Sequence, residues 1–271
     1  MSKPGTRMLL RQIARQGLHA FERKVIYPWA AWRGWRPSSF RTVQLDDLDY
    51  ALGYDDEIAI KAATRVVAPF TLLSFDRLAS LWLQVRWLDA HRISGSMVEC
   101  GVRAGGASAM MALAHMASSK TAQRPLDLFD CFDGALPATD EDGATVKQLV
   151  EMWNTQPHCS PDTSKHLILN QIGYPQALLR QHIGYFQDTL PQEADALGPI
   201  ALLRLDGDLY ESTKVCLEYL YDHVAANGII VIDDYGAFAG CRKAVDKFVA
   251  RLTSPIMLHR IDCVGRYWIK R

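Results

Sequence analysis

Val98-Glu99-Cys100-Gly101-Val102-Arg103-Ala104-Gly105-Gly106 takes a hydrophobic strand into a glycine-rich turn that opens a helix of small residues. The rest of the chain repeats that strand-to-helix order. Strands are expected at Met97–Cys100, Leu126–Asp130, His182–Phe186, Ile200–Leu205 and Gly228–Ile232, with helices near Ala107–Ala117, Val146–Trp153, Ser164–Ile172, Thr213–Val224 and Arg242–Arg251. Such alternation calls for right-handed crossovers and a parallel sheet. The tail, Ile256–Asp262 and Arg266–Lys270 about a Val264-Gly265 turn, closes it as an antiparallel hairpin. The expected fold is α/β and Rossmann-like: a mostly parallel seven-stranded sheet, a C-terminal antiparallel hairpin and a helical N-terminal extension.

Upstream, Leu78, Leu81, Trp82, Val85 and Leu88 recur at spacings of three and four, which predicts a helix over Ser74–His91. Residues 1–66 read as a basic helical extension, bridged to the core through Leu48–Leu52 and Tyr54–Val67. Residues 67–271 read as the main domain, with the polar, breaker-rich segment at about 135–163 as a lid. Lys3, Arg7, Arg11, Arg15, Arg23, Lys24, Arg33, Arg36 and Arg41 stand against Glu22 alone, and Thr6–Lys24 is patterned as an amphipathic helix. An arm packed on the body or on a neighbouring subunit is favoured over a helix lying on a membrane surface.

The 271 residues are 49% hydrophobic and 22% charged, enough apolar material for a sizeable core. Thirty basic and thirty acidic side chains cancel, so no global field favours a nucleic acid. The six cysteines lie far apart without a C-x-x-C pair and read as reduced thiols in a cytoplasmic protein. No stretch reaches the roughly 20 apolar residues of a membrane span.

The glycine turn is G-x-x-x-G-G rather than G-x-G-x-x-G, which suits a ligand without phosphates such as S-adenosylmethionine; a purely structural tight turn is its equal alternative. Asp130 ends the second strand where α/β sheets present an acid to ribose hydroxyls, and Asp188 closes the third, where it can accept from an adenine amino group. Either can instead be a cap. The strongest constellation is Asp206-Gly207-Asp208 after one apolar strand and Asp233-Asp234 after the next. Adjacent parallel strands bring these acids to one edge, where their charges call for a cation. Carboxylates without clustered His or Cys suit Mg²⁺. The alternative is that they cap helices or pair with Arg204 or Arg242. His115 and His158 are weaker candidates for approaching a substrate, and Trp153, Tyr185 and Tyr235 for stacking on one.

From about Val67 onward the chain resembles the macrocin and mycinamicin sugar O-methyltransferases. The resemblance is carried by Pro69–Ser74, Val98–Gly106, Asn170 with Gly173-Tyr174-Pro175, Gly184–Pro191, Leu205–Thr213, Ile232–Gly236 and Gly240–Val245. It implies a class I methyltransferase fold and transfer of a methyl group from S-adenosylmethionine to a sugar hydroxyl. It further implies Mg²⁺ held by Asp206, Asp233 and Asp234, with Asp206 also receiving the substrate proton. Donor contacts are implied for Thr71, Glu99, Cys100, Gly101, Gly105, Asp130, Cys131, Asp188 and Asp206, and assembly for a homodimer or larger oligomer. Two departures stand out. Arg103-Ala104 replace the family's Trp-Arg, and Phe129–Pro137 carries one extra residue. The expected reaction is in-line displacement by an oxygen of a small hydroxylated acceptor. Other readings are a catechol or phenol acceptor, or a non-catalytic donor-binding module that docks through its basic arm.

Overall fold

The structure, a computed structural model, describes residues 55–119 and 121–271. The expectations for the arm, Thr6–Lys24 and Leu48–Leu52 included, lie outside the described residues. Seven strands form one sheet: β1 Ser96–Cys100, β2 Leu126–Asp130, β3 Leu179–Ile183, β4 Ile200–Leu205, β5 Val224–Ile232, β6 His259–Arg260 and β7 Arg266–Ile269. Their order is β3-β2-β1-β4-β5-β7-β6. Pairing is parallel from β3 through β5 and antiparallel where β7 meets β5 and β6. This is the α/β sheet with a closing hairpin that the sequence predicts.

In chain order the α-helices of the described residues are α1 Asp55–Val67, α2 Phe75–Ala90, α3 Gly106–Ser118, α4 Ala144–Trp153, α5 Pro161–Lys165, α6 Phe186–Glu193, α7 Tyr210–Leu220 and α8 Ala239–Val249. A π-helical stretch, His166–Gln171, continues α5. One face of the sheet is covered by α1, α2, α3 and the π stretch, the other by α4, α6, α7 and α8. Parallel strands covered on both sides have no polar face, and β1 and β4 are buried along their whole length. Met97, Leu202, Ile229 and Val231 join the first core cluster, while Val98, Leu203, Ile230 and Ile232 join the second. The strand period of two then carries Glu99, Arg204 and Asp233 to the α1–α3 side. None of the helices among the described residues is long and apolar enough to cross a membrane.

The third strand departs from the sequence reading. It spans Leu179–Ile183 rather than His182–Phe186, and Phe186–Glu193 is helix. Its partners on β2 explain this. Arg180 stands in register with Asp127, which is fully buried, and pairs with it at 2.6 Å; His182 stacks on Phe129 with ring centroids 4.1 Å apart. Gly184, at φ +148°, lies at the turn into α6. The strand β5 likewise starts at Val224, because Val224 pairs with Ile200 before the left-handed Asn227 (φ +65°), and α7 ends at Leu220.

Candidate functional site

The strands β1, β4 and β5 are adjacent and parallel, so their C-terminal ends share one edge, the usual place for a ligand in this fold class. The Asp206 N–H donates to the Cys100 carbonyl at 2.8 Å, and the Asp233 N–H donates to the Leu205 carbonyl at 2.9 Å, which holds the three tips together. Carboxylate oxygens of Asp206, Asp208 and Asp234 lie within 4.8 Å of one another. Asp208 has a left-handed backbone, φ +58°, a conformation that costs a non-glycine residue about 1 kcal/mol or more and gathers at functional sites. Asp233 is turned elsewhere. Its Oδ1 meets Arg204 Nη2 at 2.7 Å and its Oδ2 meets Arg77 Nη1 at 2.5 Å. The structure therefore brings Asp206 and Asp234 together with Asp208 and gives Asp233 to two arginines. The convergence of acids and the pairing with Arg204, which the sequence offered as alternatives, are both present.

Behind the cluster, Arg204 donates to Glu99 and, at 2.9 Å, to Asp206 Oδ2. The Ser108 hydroxyl also donates to Glu99. Among the described residues, six carboxylates (Glu99, Asp206, Asp208, Asp233, Asp234 and Asp262) stand at or beside this edge, and the Arg77 and Arg204 guanidiniums pair with four of them. The charge excess is visible in the acids. Burial and the neighbouring Asp206 charge push Asp208 up to about 7, while burial and the charges of Asp208 and Asp206 hold Asp234 well above the ordinary carboxylate range. Among the described residues, no group hydrogen-bonds to the buried Asp234 Oδ2. An all-carboxylate cluster with a free oxygen fits a hard divalent cation such as Mg²⁺.

The glycine turn is shaped by close approaches. A Cβ on Gly101, at φ +93°, would run into the Asp206 carbonyl, and one on Gly106 would lie 2.6 Å from both the Phe70 carbonyl and Thr71 Cβ. Gly105 abuts Ser164 in the same way. Thr71 is thus seated against the turn. Asp130 braces it: its Oδ2 accepts from the Val102 and Arg103 N–H groups at 2.7 and 2.8 Å, and its Oδ1 accepts from the Phe132 N–H at 2.8 Å. The Cys131 thiol donates to the Gly134 carbonyl at 2.8 Å. Glu99 points inward to Arg204, and Cys100 packs in the second core cluster. Asp188 is exposed in the first turn of α6 rather than at a strand end.

His115 lies at the end of α3, which starts at the ligand edge and so finishes at the opposite one. There it is buried, 2.8 Å from Asp89, and it accepts from the Gln123 N–H at 3.1 Å, a structural role. Arg242 pairs with Asp246 and lies over the Tyr235 ring, not with the acid cluster. Trp153 packs edge-on against Phe238. Two residues escaped the sequence reading. Arg77 carried no signal beyond its place after the Ser74 helix cap. Asp142, buried in the segment expected to be a lid, accepts from the Tyr210 N–H at 2.7 Å and from Thr139, tying that segment to the start of α7.

Residues 35–270 match the model of the macrocin-O-methyltransferase family (TylF). The chain is 32% identical over 199 residues, 73% of its length and 74% of the relative's, to the 8-demethyl-8-(2,3-dimethoxy-alpha-L-rhamnosyl)-tetracenomycin-C 4'-O-methyltransferase of Streptomyces olivaceus. It is 29% identical over 221 residues, 79% of its length and 81% of the relative's, to the demethyldecarbamoylnovobiocin O-methyltransferase of Streptomyces niveus. The solved structure of the O-methyltransferase NovP superposes with a TM-score of 0.67 at 29% identity, covering 74% of this chain and 82% of that one.

Proposed function

The chain belongs to the macrocin-O-methyltransferase family of S-adenosylmethionine-dependent enzymes, and on that premise we propose that it methylates a hydroxyl of a deoxysugar carried by a natural product, with Mg²⁺ at its acid cluster. The observation that carries the metal is the convergence of Asp206, Asp208 and Asp234, with one oxygen of Asp234 unpartnered. The sugar acceptor is supported by the relative named for a rhamnosyl tetracenomycin.

Asp206, Asp208 and Asp234 would hold the ion, with Asp233 beside them in the grip of Arg204 and Arg77. When bound, a divalent ion lowers the pKa of a hydroxyl it coordinates and offsets the gathered negative charge. The protein's own share is position and proton acceptance. Arg204 engages Asp206 Oδ2, and Asp206 is the proposed acceptor for the proton of the acceptor hydroxyl. The glycine turn and Thr71 would hold the donor beside the acceptor, the positioning that in-line displacement requires. Thr71, Glu99, Cys100, Gly101, Gly105, Asp130, Cys131 and Asp188 remain the proposed donor neighbourhood, with Glu99 acting from beneath through Arg204.

The test is mass spectrometry of candidate acceptors incubated with the chain, S-adenosylmethionine and Mg²⁺. A gain of about 14 Da, one methyl group replacing a proton, is expected on deoxysugar glycosides. A gain confined to catechols would replace the sugar with a phenolic acceptor. No gain on any hydroxylated acceptor would sink the proposal.

A further inference from the structure

We propose that Arg204 is a positioning residue, a buried guanidinium that fixes Asp206 and Asp233 from behind and so sets the geometry in which the acid edge takes up a divalent cation. This rests on the reading that these acids hold such an ion.

Arg204 and Glu99 are register partners on β4 and β1, and each side chain is only 1% exposed. From that position one planar group touches acids of three neighbouring strands. Its Nη1 donates to Glu99 and to Asp206 Oδ2, and its Nη2 meets Asp233 Oδ1. The Ser108 hydroxyl on α3 donates to Glu99 from the other side, and the Asp233 contact is an ion pair at 2.7 Å rather than a hydrogen bond. Arginine suits this task, since its rigid fork sets direction as well as charge.

Stability alone does not account for the residue. A buried ion pair is generally no better than an apolar pair of similar volume, and the same face of the sheet offers Met97, Leu202 and Val231 as apolar neighbours. Nor does charge account for it, because a guanidinium 2.9 Å from Asp206 opposes a second cation there. What remains is orientation. Outer residues that aim metal ligands commonly matter about 10- to 100-fold in metal affinity.

The experiment is Mn²⁺ binding to the full chain, followed by electron paramagnetic resonance, for wild type and for the double variant Glu99→Gln/Arg204→Met. That pair removes one negative and one positive charge, so the net charge behind the acids is unchanged and only the fork is lost. Mn²⁺ affinity is expected to fall at least about tenfold, read at a temperature where circular dichroism shows the variant to be folded. Arg204→Lys keeps the charge without the fork and is expected to weaken Mn²⁺ binding too; it decides the matter if the double variant does not fold. A folded variant that binds Mn²⁺ as tightly as wild type overturns the proposal. If wild type itself binds no Mn²⁺, the cation reading fails, and this inference fails with it.

Discussion

Arg77 on α2 and Asp233 at the end of β5 meet at 2.5 Å, joining the helical layer to the acid edge of the sheet. Arg77 Nε also donates to Asp262 at 2.9 Å, and Asp262 accepts from the Val264 and Gly265 N–H groups in the turn between β6 and β7. A single guanidinium thus links a helix, a central strand and the closing hairpin. Arg77→Met leaves two largely buried carboxylates without it. Urea unfolding is expected to show a loss of about 3 kcal/mol.

Gly101→Ala tests the crossing of the β1 and β4 tips. The added methyl meets the Asp206 carbonyl at a backbone angle that alanine resists. Strain of about 1–3 kcal/mol is expected in the melting curve. The Asp206 tip must give way, so kcat/KM should fall by more than about tenfold. Wild-type turnover in this variant would mean that the tip spacing is immaterial.

Asp89 contributes to the acid side of the stability profile. Burial by itself would raise its carboxyl, but hydrogen bonds from His115 and Arg124 overcome that and hold it below its ordinary value. A carboxylate with a lowered folded pKa contributes stability above its unfolded value, near 3.8, and loses that contribution as pH falls through the folded one. Asp89→Asn is therefore expected to cost about 2 kcal/mol at pH 7. The difference from wild type should close as denaturation is followed from pH 5 downward. A constant difference across that range would contradict the assignment.

Asp234→Asn removes a carboxylate from the cluster and leaves its shape. With Mg²⁺ present, kcat/KM should drop at least about a hundredfold, equivalent to about 3 kcal/mol of transition-state stabilisation. Chelator should do the same to wild type, with activity restored by Mg²⁺. Chelator-insensitive turnover in wild type would remove the metal from the proposal.

The strands most fully enclosed were the most legible. Leu126–Asp130 and Ile200–Leu205 fall where the apolar runs place them, because strands covered on both faces leave an uninterrupted signal. The edge strand β3 was misplaced because its polar residues make sense only beside Asp127 and Phe129, partners distant in sequence. Among the acids, the clustering was legible from strand adjacency. That Asp233 faces two arginines while Asp208 faces Asp234 was not, because it depends on side-chain direction. A clue did exist: Arg204 interrupts a buried apolar strand and needed an acid, and Glu99 holds the matching place in β1.

The three amide contacts of Asp130 bear on how a ligand arrives. Folding has already arrested the chain at Val102 and Arg103, so a donor bound there as proposed would meet a finished cradle and need not organise one. Little of its affinity would then be consumed in ordering that loop, and exchange of spent for fresh donor would leave the turn intact.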